Sequence, residues 1–205
     1  MPNNDLSIAA KIYLSSGKIP HLTEGFCFTK APTGGSVNTQ RLAESMIIAT
    51  LIELIKEGKL EVKDESKKVL FMVQPILTLK RKAIGGIGLG KAILDQLNED
   101  KDLAKVMIAI IGGVWLVPQN TILVPVEKEL TGLFEKIEVK KMFGVKRTEK
   151  VWDEKKVGEL VSKYEAEAQK AFQETIDISW RLTAIRNLRI AWEQTTKRKK
   201  RDHDD

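Results

Sequence analysis

The fold is indicated most clearly by one stretch of the chain, residues 41–62, which reads RLAESMIIATLIELIKEGKLEV. Apolar residues occupy nearly every side of a helix drawn over residues 41–57, and a helix that is apolar nearly all round is a buried one. Gly58 stands where a glycine commonly ends a helix. Beyond it, LEV and VLFMV flank the charged run KDESKK (63–68), which predicts a β-hairpin that turns within that run. A helix followed by a hairpin is the second half of a winged-helix unit.

Helical and hairpin patterns continue along the chain. Three further helices are predicted, over residues 5–14, 91–100 and 127–136. The first of them has Asp5 or Ser7 as its N-cap. The apolar run within residues 102–117 is about 12 residues long, whereas a bilayer needs about 20, so it predicts a core helix or strand. Residues 139–152 predict a second hairpin with Gly144 near its bend.

The C-terminal quarter has the longest regular pattern. From residue 153 to residue 194 there is no proline, and Gly158 is the only glycine. Apolar residues recur there with a spacing of three to four, which predicts one long helix, about 60 Å if unbroken, or two helices bent near residues 176–178. An apolar stripe of this length is longer than the rest of a domain of this size can bury. We therefore expect part of it to meet a partner protein, a second copy or a membrane surface.

These elements predict a mainly helical α+β protein that contains a winged-helix-like unit, β-hairpins and a long C-terminal helix. The expected organisation is a helical, winged-helix-like core domain over residues 1–152, the long helix over residues 153–195, and a basic–acidic tail over residues 196–205.

Positive charge is concentrated at the C-terminal end. The chain has a formal net charge of +6. Eight basic residues and the single acid Glu193 lie between residues 178 and 201, so this segment carries +7 and everything else sums to −1. A basic end attracts phosphates of nucleic acid or lipid headgroups, although a solvated tail that only keeps the protein soluble has the same composition. Trp180 and Trp192 flank arginines here, a pattern typical of segments lying on anionic membranes, unless both indoles pack into the core.

Several kinds of chemistry are excluded by composition. The chain has one cysteine, Cys27, and two histidines, His21 and His203, which rules out a disulfide framework and a cysteine zinc cluster. No serine, cysteine or lysine nucleophile has a visible base partner. We therefore predict that the protein is not an enzyme and has no catalytic residues, metal or cofactor. The first residues lack a secretory signal pattern, so a cytoplasmic location is expected.

A glycine-rich run resembles part of a phosphate-binding loop. Gly85, Gly90 and Lys91 satisfy its glycine and lysine positions. Ala92 follows, where a serine or threonine would bind magnesium, so phosphoryl transfer would lack its main charge stabiliser. We interpret the run as a loop that enters a helix.

The order of the elements resembles a known family. The quoted segments are SGK (16–18), LIELIKEGKLEV (51–62), AILDQL (92–97), LFEKIEV (133–139) and KKMFGVKRTEKVW (140–152). Over roughly residues 5–165 they are similar to the Golgi phosphoprotein 3 family of peripheral membrane proteins. This resemblance implies a mostly helical fold with β-hairpins, binding of phosphatidylinositol 4-phosphate, insertion of a hairpin into membranes, and sorting of Golgi glycosyltransferases.

The resemblance does not extend to the family's lipid pocket. Ile47, Leu123 and Val126 stand where the family has its headgroup-binding arginines. Membrane contact is therefore expected to involve basic residues elsewhere in the chain.

These observations predict a cytoplasmic, peripheral membrane or adaptor protein that binds anionic, phosphoinositide-like headgroups and has a role in membrane trafficking. The predicted lipid-binding residues are basic, namely Lys80, Arg81, Lys82, Lys140, Lys141, Lys146, Arg147, Lys197, Arg198, Lys199, Lys200 and Arg201. Met142 and Phe143, at the tip of the second hairpin, are predicted to insert into the membrane. The expected partners are anionic membrane lipid, a protein client and a second copy of the chain.

Two other functions stay open at this point. One is a winged-helix nucleic-acid-binding protein, which is less favoured because the helix over residues 41–57 carries a net charge of −1. The other is a structural oligomer joined through the long C-terminal helix.

Overall fold

The computed structural model describes residues 5–24, 28–69, 72–112, 118–140 and 146–201. The helices, in chain order, are α1 (Ile8–Ser15), α2 (Thr39–Lys56), α3 (Gly88–Asp95), α4 (Leu103–Ile111), α5 (Pro118–Glu129), α6 (Glu154–Asp177) and α7 (Arg181–Arg201). The strands are β1 (Phe28–Lys30), β2 (Ser36–Asn38), β3 (Leu60–Val69), β4 (Met72–Arg81), β5 (Lys101–Asp102), β6 (Phe134–Lys140) and β7 (Lys146–Trp152). This architecture confirms the predicted mainly helical α+β class.

The described strands form three small antiparallel sheets, ordered β1-β2, β3-β4-β5 and β6-β7. The helices pack around a single hydrophobic core, to which α6 and α7 contribute buried side chains along with the preceding elements. Among the described residues, no helix has both the length and the apolar character needed to cross a bilayer.

Helix α2 is at the centre of this core, as its sequence predicts. Thirteen of its eighteen residues are buried. Its N-terminus is capped by Asn38, whose side-chain oxygen accepts a hydrogen bond from the Arg41 N–H at 2.9 Å. The helix ends at Lys56, two residues before Gly58.

The first hairpin is longer than predicted. The expected turn in residues 63–68 is wrong, because these residues continue β3 and pair with β4 in a register that runs from Leu60 opposite Arg81 to Val69 opposite Met72. Residues 63–68 are exposed, so charged side chains are compatible with a strand there. Residues 70–71, which connect β3 to β4, lie outside the described residues.

Two other predicted boundaries change. The helix predicted over residues 127–136 is wrong in its second half, because α5 ends at Glu129 and β6 begins at Phe134. The apolar run after residue 102 forms α4, which settles the choice between a core helix and a strand. The second hairpin is confirmed, with Lys140 paired to Lys146 at the end of the ribbon nearest the connecting residues. Gly144 lies outside the described residues.

The C-terminal quarter forms two helices, which is one of the two predicted alternatives. The break lies at residues 178–180, where Ile178 is extended. The apolar stripe of α6 packs against α1 and α2, so Val157, Val161 and Ala168 are buried within the chain itself. After the break, α7 packs on α4 and β4. Its backbone stays helical to Arg201, through the first part of the predicted tail.

Helix α1 is more deeply buried than an amphipathic helix would be. All eight of its residues are buried, and α2, α5 and α6 surround it. Even Lys11 is buried, with its ammonium group 3.1 Å from the Asp5 carboxylate and 2.8 Å from that of Glu167. The predicted N-cap is confirmed at Ser7, whose Oγ accepts from the Ala10 N–H at 3.3 Å.

Two carboxylates from distant elements hold the start of α1. The Glu53 carboxylate, on α2, accepts from the Ile8 N–H at 3.1 Å. The Glu129 carboxylate, on α5, accepts from the Ser7 N–H at 3.1 Å and from its Oγ–H at 2.8 Å. Burial raises the pKa of Glu53 to about 7, although the Ile8 N–H opposes this shift. Burial also raises the pKa of Glu129.

Replacing Glu53 with glutamine should stabilise the protein at pH 8 by about 1–2 kcal/mol and leave it unchanged near pH 4.5. Between those values the folded protein binds a proton at Glu53 that the unfolded chain does not bind, so stability falls as pH rises toward 7. Glutamine keeps the acceptor for Ile8 but carries no buried charge. Urea unfolding at the two pH values measures the effect. An equal gain at both would contradict this explanation.

Candidate functional site

The basic run at the end of β4 is largely occupied by local contacts. The Lys82 ammonium group pairs with the Glu61 carboxylate. The Arg81 guanidinium donates to the Leu94 carbonyl at 3.3 Å. Lys80 is half-buried and forms no ion pair among the described residues. These three predicted lipid-binding residues therefore lie together at one end of the first hairpin, and only the charge of Lys82 is paired with an acid, because the Leu94 carbonyl that holds Arg81 is neutral.

The other predicted lipid-binding residues lie at the edge of the described part of the chain. The backbones of Lys140, Lys146 and Arg147 lie in the second hairpin at the end nearest its connecting residues. Lys141, Met142 and Phe143 lie outside the described residues, as do the side chains of residues 197–201, whose backbones complete α7. Their roles stay predictions.

The two C-terminal indoles pack toward the core. Trp192 is only 6% exposed. Trp180 is half-buried and packs against the same core. Neither indole is presented on an open surface, which favours the core interpretation of these residues over a membrane-lying one.

A cleft of about 540 Å³ lies where residues 21–48 meet residues 172–189. We call it the arginine cleft. One wall is α2, which contributes Arg41, Glu44 and Ile48 at helical spacing. The opposite wall is α7, which contributes Arg181, Ile185 and Arg189 at intervals of four residues. The turn at residues 20–24 and the end of α6 close the sides, with the rings of His21 and Phe172 stacked 6.3 Å apart.

Three guanidinium groups line this cleft, and they differ in their partners. Arg41 donates to the His21 carbonyl at 2.9 Å and to the Glu24 carboxylate at 3.1 Å, which fixes it at the rim. Within the described ranges, Arg181 and Arg189 form no ion pair. Arg189 is exposed and Arg181 is half-buried, so both can reach a ligand in the cleft. The site therefore has one arginine held in place and two that are uncommitted.

A buried carboxylate faces these arginines. Glu44 is 9% exposed and accepts a hydrogen bond from the Gln40 side-chain amide at 2.9 Å. Burial raises its pKa, while the positive charges of Arg189, Arg181 and Arg41 oppose that shift. Three arginines against Glu24 and Glu44 leave the cleft with a net positive charge. The carboxylates limit the mutual repulsion of the guanidinium groups without neutralising them.

This geometry is suited to binding a small anion. Guanidinium groups match the oxygens of phosphates and carboxylates with paired N–H donors, and such charge-assisted hydrogen bonds are roughly twice as strong as neutral ones. The stacked rings of His21 and Phe172 and the side chain of Ile185 supply apolar surface beside the cations. Among the described residues, no cluster of three or more His, Cys, Asp or Glu side chains could hold a metal ion.

A second cavity has the opposite character. It encloses about 260 Å³ between α2 and α6. Four glutamates and two lysines line it, namely Glu53, Glu57, Glu167, Glu174, Lys56 and Lys170. An anion is therefore favoured at the arginine cleft and disfavoured here.

Sequence reasoning missed the arginine cleft although one part of its signal is visible. The spacing of Arg181, Ile185 and Arg189 puts these side chains on one helical face. The other wall, around Arg41, lies about 140 residues earlier, and only the break between α6 and α7 brings the two together.

Comparison of the chain with models of known protein families and with curated proteins found no match. The resemblance to the Golgi phosphoprotein 3 family therefore stays a prediction from the sequence.

Proposed function

We propose that this protein is a peripheral membrane protein that binds the phosphate-bearing headgroup of an anionic lipid in the arginine cleft. The observation that supports this best is the convergence of Arg41, Arg181 and Arg189 on one cleft, with two of the three guanidinium groups unpaired among the described residues. Guanidinium groups that face one cleft repel one another, and a bound anion relieves that repulsion. A lipid phosphate provides that charge.

The position of the cleft on α7 strengthens the lipid interpretation. The same helix continues to the basic run at residues 197–201, which lies roughly 12–18 Å beyond Arg189 at 1.5 Å per residue. Each basic residue close to an anionic leaflet adds about 1 kcal/mol of attraction. The cleft would then supply the specific contact and the end of the helix a general one. In this scheme the protein acts as an adaptor and carries out no chemistry.

The nucleic-acid alternative has less support. The helix that would act as a recognition helix in a winged-helix unit is α2, and most of its residues are buried in the core. A recognition helix needs an exposed face that enters the major groove.

Co-sedimentation with vesicles tests the proposal. We expect the protein to pellet at low salt with vesicles that contain phosphatidic acid or phosphatidylinositol 4-phosphate, and to stay in solution with phosphatidylcholine alone. Arg189→Gln should weaken this binding about tenfold, because it removes one charge-assisted contact to phosphate.

Arg186→Gln is the matched control, since Arg186 lies on the same helix, is exposed, carries the same charge and does not line the cleft. It should change binding less than twofold, roughly the effect of one screened surface charge. Equal weakening by both variants, or equal pelleting with neutral vesicles, would refute a specific site in the cleft.

A further inference from the structure

The loop that connects β4 to α3 presents two isoleucines to solvent. We call residues 82–87, KAIGGI, the isoleucine loop. Ile84 is 82% exposed and Ile87 is 47% exposed. Exposed isoleucines usually occur singly, whereas these two lie three residues apart on one exposed loop.

The isoleucine loop is held firmly at both ends. The N–H groups of Lys82 and Ala83 donate to the Lys59 carbonyl, at 2.8 and 3.3 Å. At the other end, the Ile87 carbonyl accepts from the Lys91 N–H at 3.1 Å, in the first turn of α3. Gly85 has φ of 101°, a backbone conformation that glycine adopts without strain. The isoleucines are therefore presented by an anchored loop, so little conformational entropy is lost when they are buried.

The surroundings of the loop carry net positive charge. Five cations lie on the segments that contact or flank the loop, namely Lys59, Lys80, Arg81, Lys82 and Lys91. Three acids lie among them and pair with Lys59, Lys82 and Lys91, namely Glu57, Glu61 and Asp95. The balance is +2. An apolar tip surrounded by cations matches the boundary between anionic headgroups and acyl chains.

We propose that the isoleucine loop inserts Ile84 and Ile87 into the interfacial region of an anionic membrane. This inference rests on the proposed membrane association, but it concerns a different surface. The loop contacts Lys59, which lies beyond the C-terminal end of α2. The arginine cleft uses the part of α2 from Arg41 to Ile48, near the N-terminal end of that helix. Neither cavity described above is lined by a residue of this loop, and a peptide needs a groove, so a membrane fits the exposed loop better than a protein segment does.

Environment-sensitive labelling tests the insertion directly. In a Cys27→Ser background, Ile84→Cys carries an NBD fluorophore. Val73→Cys is the matched control, because Val73 is 67% exposed at the far end of β4, roughly 25 Å away at 3.3 Å per residue. With vesicles containing phosphatidic acid, we expect a blue shift and about a twofold or greater intensity increase at position 84 and no change at position 73. Equal changes at both positions would overturn the proposal.

Vesicle binding by unlabelled variants provides the second readout. Ile84→Ser/Ile87→Ser should weaken binding about tenfold, and Val73→Ser should have little effect. If the wild-type protein pellets while the double serine variant binds equally well and position 84 stays in water, the loop inference fails and the cleft proposal survives. If the wild-type protein pellets with no anionic vesicle, both proposals fail.

Discussion

Replacing Asn187 with leucine is expected to lower the free energy of unfolding by about 3 kcal/mol. Asn187 is 2% exposed and joins α7 to β4. Its side-chain oxygen accepts from the Leu77 N–H at 3.0 Å, and its side-chain nitrogen donates to the Pro75 carbonyl at 3.2 Å. At this point β5 offers no alternative partner, since it pairs only with Thr78 and Leu79. Leucine would therefore leave two backbone groups buried without hydrogen bonds.

Urea unfolding followed by circular dichroism measures this loss. Gln194→Leu is the control, because Gln194 is a polar residue on an exposed face of the same helix. We expect it to change stability by no more than about 0.5 kcal/mol. Similar losses in both variants would show that leucine on α7 is harmful in general, and that the bonds of Asn187 contribute little.

Gly88→Ala is expected to destabilise the protein by about 2–3 kcal/mol. Gly88 has φ of 47°, which is strained for alanine. An alanine Cβ at this position would also overlap the Glu129 carboxylate. Glu129 would have to move away and give up its two hydrogen bonds to Ser7, which hold the start of α1.

Gly158→Ala provides a control of opposite sign. Gly158 lies within α6, and an added Cβ there meets no atom within 4 Å. Alanine should stabilise this helix by about 0.5–1 kcal/mol, because it reduces the entropy of the unfolded chain. Thermal and urea unfolding of the two variants should therefore move in opposite directions. A neutral Gly88→Ala variant would show that Glu129 does not fix the start of α1.

The fold is predictable where the pattern of apolar residues in a segment matches the way that segment packs in the protein. Helix α2 was recognisable as buried because its sequence is apolar on nearly all sides, and the structure buries thirteen of its residues. The charge of residues 63–68 predicts a turn, but in a ribbon exposed on both faces charge does not distinguish strand from turn. The break after Asp177 has no glycine or proline signal. It allows α7 to pack on α4 and β4.

The candidate site was less predictable because charge pairing depends on distant neighbours. From the sequence alone, Lys82 cannot be told from any other surface lysine. Only the register of β3 against β4 brings Glu61 next to it. Arg181 and Arg189 contributed to the predicted basic end, but Arg41 belongs to a helix that the sequence marks as core. Composition identified the positive end of the chain correctly. The side chains that share a cleft followed only from the three-dimensional arrangement.

The arginine cleft has a consequence for the order of events during synthesis. Arg41 emerges from the ribosome well before Arg181 and Arg189, which lie much later in the chain. The proposed site is therefore complete only after α7 has been translated and has folded back against α2. A nascent chain that lacks α7 has no complete cleft, so an anion cannot occupy the cleft before α7 is in place.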